Sequence, residues 1–290
     1  MVRDMRAKLN RLYLVSRRLV EEILSGSYRS VFRGPGLEFS DVREYSLQDD
    51  FRMIDWNVTA RLGYPYTRLY REERELVLFF VVDVSASLFY SPSIHKRREL
   101  QQMVLALLSF CAIQNNDKVG ALFFSDGIEK WIPPRKGKRH VFRLINDLEG
   151  WKPRGKGSDL GRALVTVGGQ LKKRAIVFVL SDFKMGGYAK ELSRVARKHD
   201  VIAVRLYEPL DEEFTIQGYL RLQDPETGAQ IPGAGFSRSF RETYSEYRTF
   251  WRRIWIRECS KRGVDTLEVA SHEDPGIRLI QFFQRRRKYR

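Results

Sequence analysis

An unbroken apolar run, Leu76-Val77-Leu78-Phe79-Phe80-Val81-Val82, ends in Asp83-Val84-Ser85-Ala86-Ser87. A short run with no polar interruption reads as a strand buried on both faces, as in the middle of a parallel sheet. In open α/β sheets ligands sit just beyond the carboxyl ends of the strands, which is where Asp83, Ser85 and Ser87 emerge. One carboxylate and two hydroxyls at alternating positions form an all-oxygen set suited to a hard cation such as Mg²⁺. Three residues do not complete such a set, so oxygens from other loops are required.

The residues that follow supply the sheet this strand needs. Spacing predicts a helix over 96–116, apolar nearly all round, then a strand over 119–124. Ser125-Asp126-Gly127 reads as a hairpin turn into Ile128–Ile132, with Pro133-Pro134 ending that strand. A helix over 139–148 comes next. A Gly-rich loop, Gly155-Lys156-Gly157-Ser158-Asp159, then opens a helix with Leu160, Ala163, Leu164, Val167 and Leu171 inward. Ala175–Leu180 is a second wholly apolar strand ending in Ser181-Asp182, followed by a helix over 188–198 and a strand over 201–206. Strand and helix alternate from Leu76 to Tyr207, the mark of a doubly wound, mostly parallel sheet. Three loops at carboxyl ends of strands thus offer oxygens: Asp83/Ser85/Ser87, Ser158 beside Asp159, and Asp182.

The flanks differ. Residues 1–25 have the period of an amphipathic helix, and 27–70 read as short strands and turns. Within the latter, Arg52, Asp55, Trp56 and Arg61 are expected to form a structural network of ion pairs and hydrogen bonds around large side chains. Residues 210–238 read as a β-rich insertion that joins the N-terminal section in a small subdomain. A long helix over 240–262, a strand over 264–269 and a helix opened by Pro275 complete the core. The expected organisation is therefore an N-terminal section at 1–75, the core at 76–209, the insertion at 210–238 and a return to the core at 239–290.

The formal charge of +16 points to nucleic acid, an anionic surface or an acidic protein as partner. The basic end, Arg285-Arg286-Arg287-Lys288-Tyr289-Arg290, reads as a solvated tail. No apolar run reaches the roughly 20 residues of a membrane span, and the charged start Met1–Asn10 is unlike an export signal, so the expected location is the cytoplasm. Cys111 and Cys259 lie in apolar helical patterns at no metal-ligand spacing and read as buried, reduced thiols.

The Asp-x-Ser-x-Ser strand, with Ser158 and Asp182 in later loops, resembles the metal-ion-dependent adhesion site of von Willebrand factor A domains. That resemblance implies Ser85, Ser87 and Ser158 as direct ligands of Mg²⁺ (Mn²⁺ or Ca²⁺ as substitutes), and Asp83 and Asp182 as ligands directly or through water. Phe32-Arg33-Gly34-Pro35-Gly36, Asp41-Val42-Arg43-Glu44-Tyr45 and Asp49-Asp50-Phe51-Arg52-Met53-Ile54-Asp55-Trp56-Asn57 are similar to a bacterial family of unknown function. Its genes lie beside MoxR-type AAA+ ATPases. Pro133-Pro134-Arg135-Lys136-Gly137 and Asp224-Pro225-Glu226-Thr227-Gly228 continue the likeness. Gln48 stands where that family has Gly, and Ser158 where it has Thr. Tyr207-Glu208-Pro209 replaces a more acidic pattern, and none of these departures removes a proposed ligand.

Rival chemistries fit less well. Gly150–Lys156 opens like a phosphate-binding loop, but Gly157 occupies the Ser/Thr position and a helical pattern precedes it. A phosphoryl-transfer Asp at Asp83 wants a second Asp where Ser85 stands, and no His falls in the site loops. The aromatic positions of the 240–262 helix follow helical spacing, which predicts core packing rather than base stacking. The expected function is a non-enzymatic, Mg²⁺-dependent protein-binding module. It captures an acidic protein surface, with a MoxR-type AAA+ ATPase or its client as partner. Nucleic-acid binding and Mg²⁺-dependent hydrolysis stand as the alternatives.

Overall fold

The computed structural model describes residues 38–46, 49–71, 76–89, 96–152, 155, 157–214, 218–223, 230–234 and 237–289. The helix expected over 1–25 and the Gly34-Pro35-Gly36 turn lie outside them. The described residues fall into two units, one within Arg33–Glu75 and one within Leu76–Arg290.

In the smaller unit, β1 (Glu38–Glu44) and β2 (Tyr66–Arg71) pair antiparallel. A 3₁₀ turn (Phe51–Met53) and helix α1 (Trp56–Leu62) connect them. The charges of this stretch serve the local chain. Asp50 caps the 3₁₀ turn, Asp55 caps α1 by accepting from the Asn57 and Val58 amides, and Arg43 pairs with Asp49 at 2.5 Å. Among the described residues no hydrogen bond or ion pair joins Arg52, Asp55, Trp56 and Arg61 to one another as one buried cluster. Asp55 is buried, whereas Arg52 and Arg61 are exposed and Trp56 is 68% exposed. Acids that cap short helices produce the same crowding of charge along a sequence as a buried cluster does.

The larger unit is a six-stranded sheet in the order β10-β7-β6-β3-β4-β5. Its strands are β3 (Val77–Asp83), β4 (Lys118–Phe124), β5 (Ile128–Arg135), β6 (Ile176–Ser181), β7 (Asp200–Tyr207) and β10 (Asp265–Ala270). All neighbours are parallel except β4 and β5. β3 is buried at every position because helices cover both sides. Leu78, Phe80 and Val82 meet α3 (Lys96–Gln114), α4 (Lys138–Glu149) and α9 (Pro275–Tyr289). Val77, Phe79 and Val81 meet α5 (Leu160–Gln170), α6 (Ala189–Lys198) and α8 (Arg238–Ser260). Two short helices, α2 (Ala86–Phe89) and α7 (Pro209–Glu212), follow β3 and β7.

Three local expectations change. β5 continues through Pro133-Pro134 to Arg135. It is an edge strand, where proline's missing N–H costs no ladder bond, and the register shifts between Val119 and Ala121. The insertion's strands β8 (Tyr219–Gln223) and β9 (Gln230–Ala234) pair with each other as a separate hairpin and not with β1 or β2. The basic end is helical through Tyr289. Arg286 is buried, bonded to Asp200 and 2.9 Å from Asp265. A basic run reads as solvated only when no acid sits across from it.

Both cysteines are buried thiols outside any disulfide. No helix among the described residues is long and apolar enough to cross a membrane.

Two glycines test the packing. A Cβ on Gly120, inside β4, would lie 2.9 Å from the Ile132 carbonyl oxygen, the Phe79 ring and the Pro134 nitrogen. Gly120→Ala is expected to destabilise by about 1–3 kcal/mol. Gly169, exposed in α5, has nothing within 4 Å of such a Cβ, and Gly169→Ala should stabilise by up to about 1 kcal/mol. Urea unfolding of the two variants checks both signs.

Candidate metal centre

Asp83 ends the central strand and has no solvent exposure. Three segments aim donors at its carboxylate. Ser85 donates its amide to Oδ1 at 2.9 Å, and the Ser158 and Ser181 hydroxyls donate to Oδ2 at 2.9 and 2.7 Å. The Ser85 and Ser87 hydroxyls lie 3.1 Å apart. Gln101 of α3 reaches the carbonyl oxygens of Asp83 (2.8 Å) and Leu180 (3.4 Å), tying β3 to β6 where the chain leaves the sheet.

The second loop is anchored from β4 and β5. Asp159 donates its amide to the Ser125 carbonyl at 2.7 Å, and Gly155 donates its amide to Glu129 at 3.4 Å. Glu129 also accepts from the Ser125 hydroxyl (2.5 Å) and the Trp151 indole (2.6 Å). Asp159 itself caps α5 through the Arg162 amide, which leaves Ser158 to face Asp83. Helix α4 precedes this loop, so the strand that a phosphate-binding loop needs is missing there.

The third loop carries Asp182, which is buried. Its Oδ2 accepts no hydrogen bond among the described residues, although Arg97 and Lys184 each approach to 3.7 Å. Both cations are held elsewhere. Arg97 bonds Asp211 at 2.6 Å and the Ser87 carbonyl at 3.1 Å, and Lys184 bonds Asp211 at 2.8 Å. Phe183, the next residue, sits at φ 53°, a region costly for a bulky side chain. Its amide donates to the Ser181 hydroxyl at 3.1 Å, which helps to hold it there.

The structure thus brings Asp83, Ser85, Ser87 and Ser158 into one hydrogen-bonded cluster, with the Asp182 charge acting on Asp83. Burial, then Asp182, push the Asp83 carboxyl up to about 6, against hydrogen bonds from Ser85 and Ser181. A buried carboxyl held this unfavourably, next to a second carboxylate with an unsatisfied oxygen, fits a divalent cation. The donors are hydroxyls and carboxylates. No group of three or more His, Cys, Asp or Glu side chains is placed to hold a metal among the described residues. Sequence reasoning missed Ser181, Arg97, Gln101 and Asp211. Ser181 sits beside Asp182 at a strand end and carried the same signal as Ser85. Arg97 and Asp211 are 114 residues apart, and neither falls in a recognisable pattern.

The fold is α/β, a mixed, mostly parallel six-stranded sheet with one antiparallel edge strand, and it bears an Asp-x-Ser-x-Ser oxygen cluster at its carboxyl end. The chain belongs to the family described as "Protein of unknown function DUF58", which matches residues 41–252. It is 27% identical over 286 residues to the uncharacterized protein Rv1480 of Mycobacterium tuberculosis, covering 97% of this chain and 90% of the relative. The uncharacterized protein Mb1516 of Mycobacterium bovis matches equally. Among solved structures, BatB from Bacteroides thetaiotaomicron is similar at TM-score 0.47 and 16% identity, over 73% of this chain and 99% of that one. Proximal thread matrix protein 1 from the mussel byssus, with a zinc-occupied MIDAS motif, is similar at TM-score 0.40 and 15% identity, over 72% and 46%.

Asp211 gives the third loop a measurable signature. Burial would raise its carboxyl, but Lys184 and Arg97 beside it bring it from 3.8 down to about 2. A depressed carboxyl contributes stability that is complete above the unfolded value and lost as pH falls through the folded one. Asp211→Asn should therefore destabilise by about 2–3 kcal/mol at neutral pH. The gap to the native chain should narrow as pH drops from about 4 to about 2, measured by urea unfolding across that range.

Proposed function

We propose that this chain is a non-enzymatic, cation-dependent protein-binding module of the cytoplasm, in which Asp83, Ser85, Ser87, Ser158 and Asp182 hold Mg²⁺ and an acidic side chain of a partner docks. Mn²⁺ and Ca²⁺ are the other hard ions this set would take. The observation that carries the reading is the meeting of three sequence-distant loops at one buried carboxyl, with the Ser158 hydroxyl 2.9 Å and the Ser181 hydroxyl 2.7 Å from Asp83. When bound, the ion supplies a positive centre that can accept a carboxylate oxygen from outside.

The chain's own part is to orient and to balance charge. Ser85, Ser87 and Ser158 contribute neutral oxygens, so Asp83 and Asp182 just balance a divalent ion without an excess of negative charge, and an outside carboxylate would complete its coordination. Ser181 holds the Asp83 carboxylate through its hydroxyl, and Gln101 holds the Asp83 backbone carbonyl. The overall charge of +16 steers acidic surfaces toward the molecule. The likeness of the Arg52–Trp56 motif to the family encoded beside MoxR-type AAA+ ATPases supports such an ATPase, or its protein client, as the partner.

Mg²⁺ at about 100 times its dissociation constant should stabilise the chain by about 2.7 kcal/mol in thermal unfolding. Asp83→Ala and Ser158→Ala should abolish that gain. Binding to a candidate ATPase should vanish with EDTA and with Asp83→Ala, and binding indifferent to both would reject the reading. Affinity for nucleic acid that falls steeply with salt and ignores Asp83→Ala would favour the alternative that the basic charge supports.

A further inference from the structure

Beside the third site loop lies a groove of about 390 Å³, bounded by residues 182–189 and the outward face of α8. That volume is at the small end of those that hold ligands. Helical spacing predicts core packing for the aromatic residues of α8. Only Trp255 of that set is buried, whereas Tyr247 and Trp251 are 56% and 49% exposed. Five of the lining residues are aromatic. Phe183 packs on Trp255 at 5.0 Å between centroids and on Tyr188 at 6.1 Å, and Tyr247 and Trp251 stand edge to face at 6.1 Å on the outer wall. Exposed rings around a concave, partly apolar floor are the residue type that dominates binding energy in interfaces. Asp182 is one of its lining residues, so the groove shares that residue with the oxygen cluster. The loop that shapes it holds Phe183 at φ 53° and turns at Gly187, φ 82°.

The charges on the groove's wall discriminate among occupants. Arg252 is clamped on Glu268 by bonds of 2.6 and 3.0 Å, and the Lys184 ammonium lies 2.8 Å from Asp211. Arg248 differs. Its Nε donates to the Asp211 carbonyl at 2.6 Å, and it has no carboxylate partner among the described residues. A guanidinium with unused donors at the mouth of an aromatic groove matches a carboxylate. Asp182 and Glu258 also line the groove, so its walls suit one carboxylate at Arg248 and not a run of phosphates. One apolar side chain flanked by acids fits these walls better than a nucleic-acid strand.

We propose that this groove is the specificity half of the binding site and takes a linear acidic peptide segment of the partner. An aromatic or large aliphatic side chain seats against Phe183 and Trp251, and a neighbouring carboxylate pairs with Arg248. The proposal rests on reading the chain as a cation-dependent binding module, whose oxygen cluster receives a second acid of the same segment.

Random linear peptides displayed on phage, selected on the full chain in Mg²⁺, test it. The enriched sequences should carry Asp or Glu within a few residues of Trp, Phe or Leu. A synthetic copy of an enriched peptide should bind Trp251→Ala and Arg248→Gln at least about tenfold more weakly. Unchanged thermal unfolding of these variants, both at partly exposed positions, establishes that the loss is local. Enrichment of no such motif, or equal binding by both variants, overturns the proposal. So does displacement of the peptide by oligothymidylate whose own affinity falls in the same variants, which would make the groove a nucleic-acid surface. Peptide binding that survives EDTA and Asp83→Ala but falls in Trp251→Ala keeps the groove and removes the cation. The reverse pattern keeps the cation and removes the groove.

Discussion

A carboxyl group with no solvent exposure, placed where the central strand of a sheet ends, must be answered by donors or by a cation, because burying an uncompensated charge is prohibitive. Asp83 is in that position. Its answering groups come from segments that only this topology brings together. β3 lies between β4 and β6, so the chain reverses its direction of travel across the sheet at β3, and the loops leaving neighbouring strands separate there. The crevice that opens is where Ser158, arriving after β5 and α4, and Ser181, ending β6, reach the same Asp83 oxygen. Gln101 spans the opening by bonding one carbonyl on each side.

The parts of this arrangement that were legible in the sequence are those that local physics dictates. β3 and β6 are buried on both faces, and a strand so buried has to be written as an apolar run. The edge strand β5 announced itself through Ser125-Asp126-Gly127, a turn that pairs antiparallel. The oxygen-bearing residues after β3 and β6 were readable because polar residues directly after such runs have nowhere to go but the sheet's end.

What was not legible depends on partners distant in sequence. Pro133-Pro134 reads as a strand end until β5 is known to lie at an edge. Arg286 reads as tail until Asp200 and Asp265 are found opposite. The α8 aromatics have one period but two fates. Trp255 turns under Phe183 while Tyr247 and Trp251 stay outside, and a helix longer than the surface it covers cannot reveal that by spacing alone. The Arg52–Trp56 stretch misled for the opposite reason. Its acid Asp55 caps a short helix, and its arginine and tryptophan are exposed.

Charge around the third loop bears on why the site is polar at such depth. Four carboxyl groups, Asp83, Asp182, Glu208 and Asp211, are buried together with Arg97, and the Lys184 ammonium reaches two of them from the margin. Arg97 and Lys184 favour Asp211, which holds its carboxyl near 2, while Asp83 on the other side is driven up to about 6. The cations therefore satisfy Asp211 more closely than Asp182, whose Oδ2 accepts no hydrogen bond among the described residues. Had the network served stability alone, apolar residues of similar volume would have been at least as effective, since buried ion pairs seldom repay their desolvation. Cations placed to satisfy the far acid, and held 3.7 Å from the near one, keep a patch of negative potential facing the end of the sheet. The same network fixes α7 and the Asp211 carbonyl that positions Arg248, so the oxygen cluster and the aromatic groove share one support.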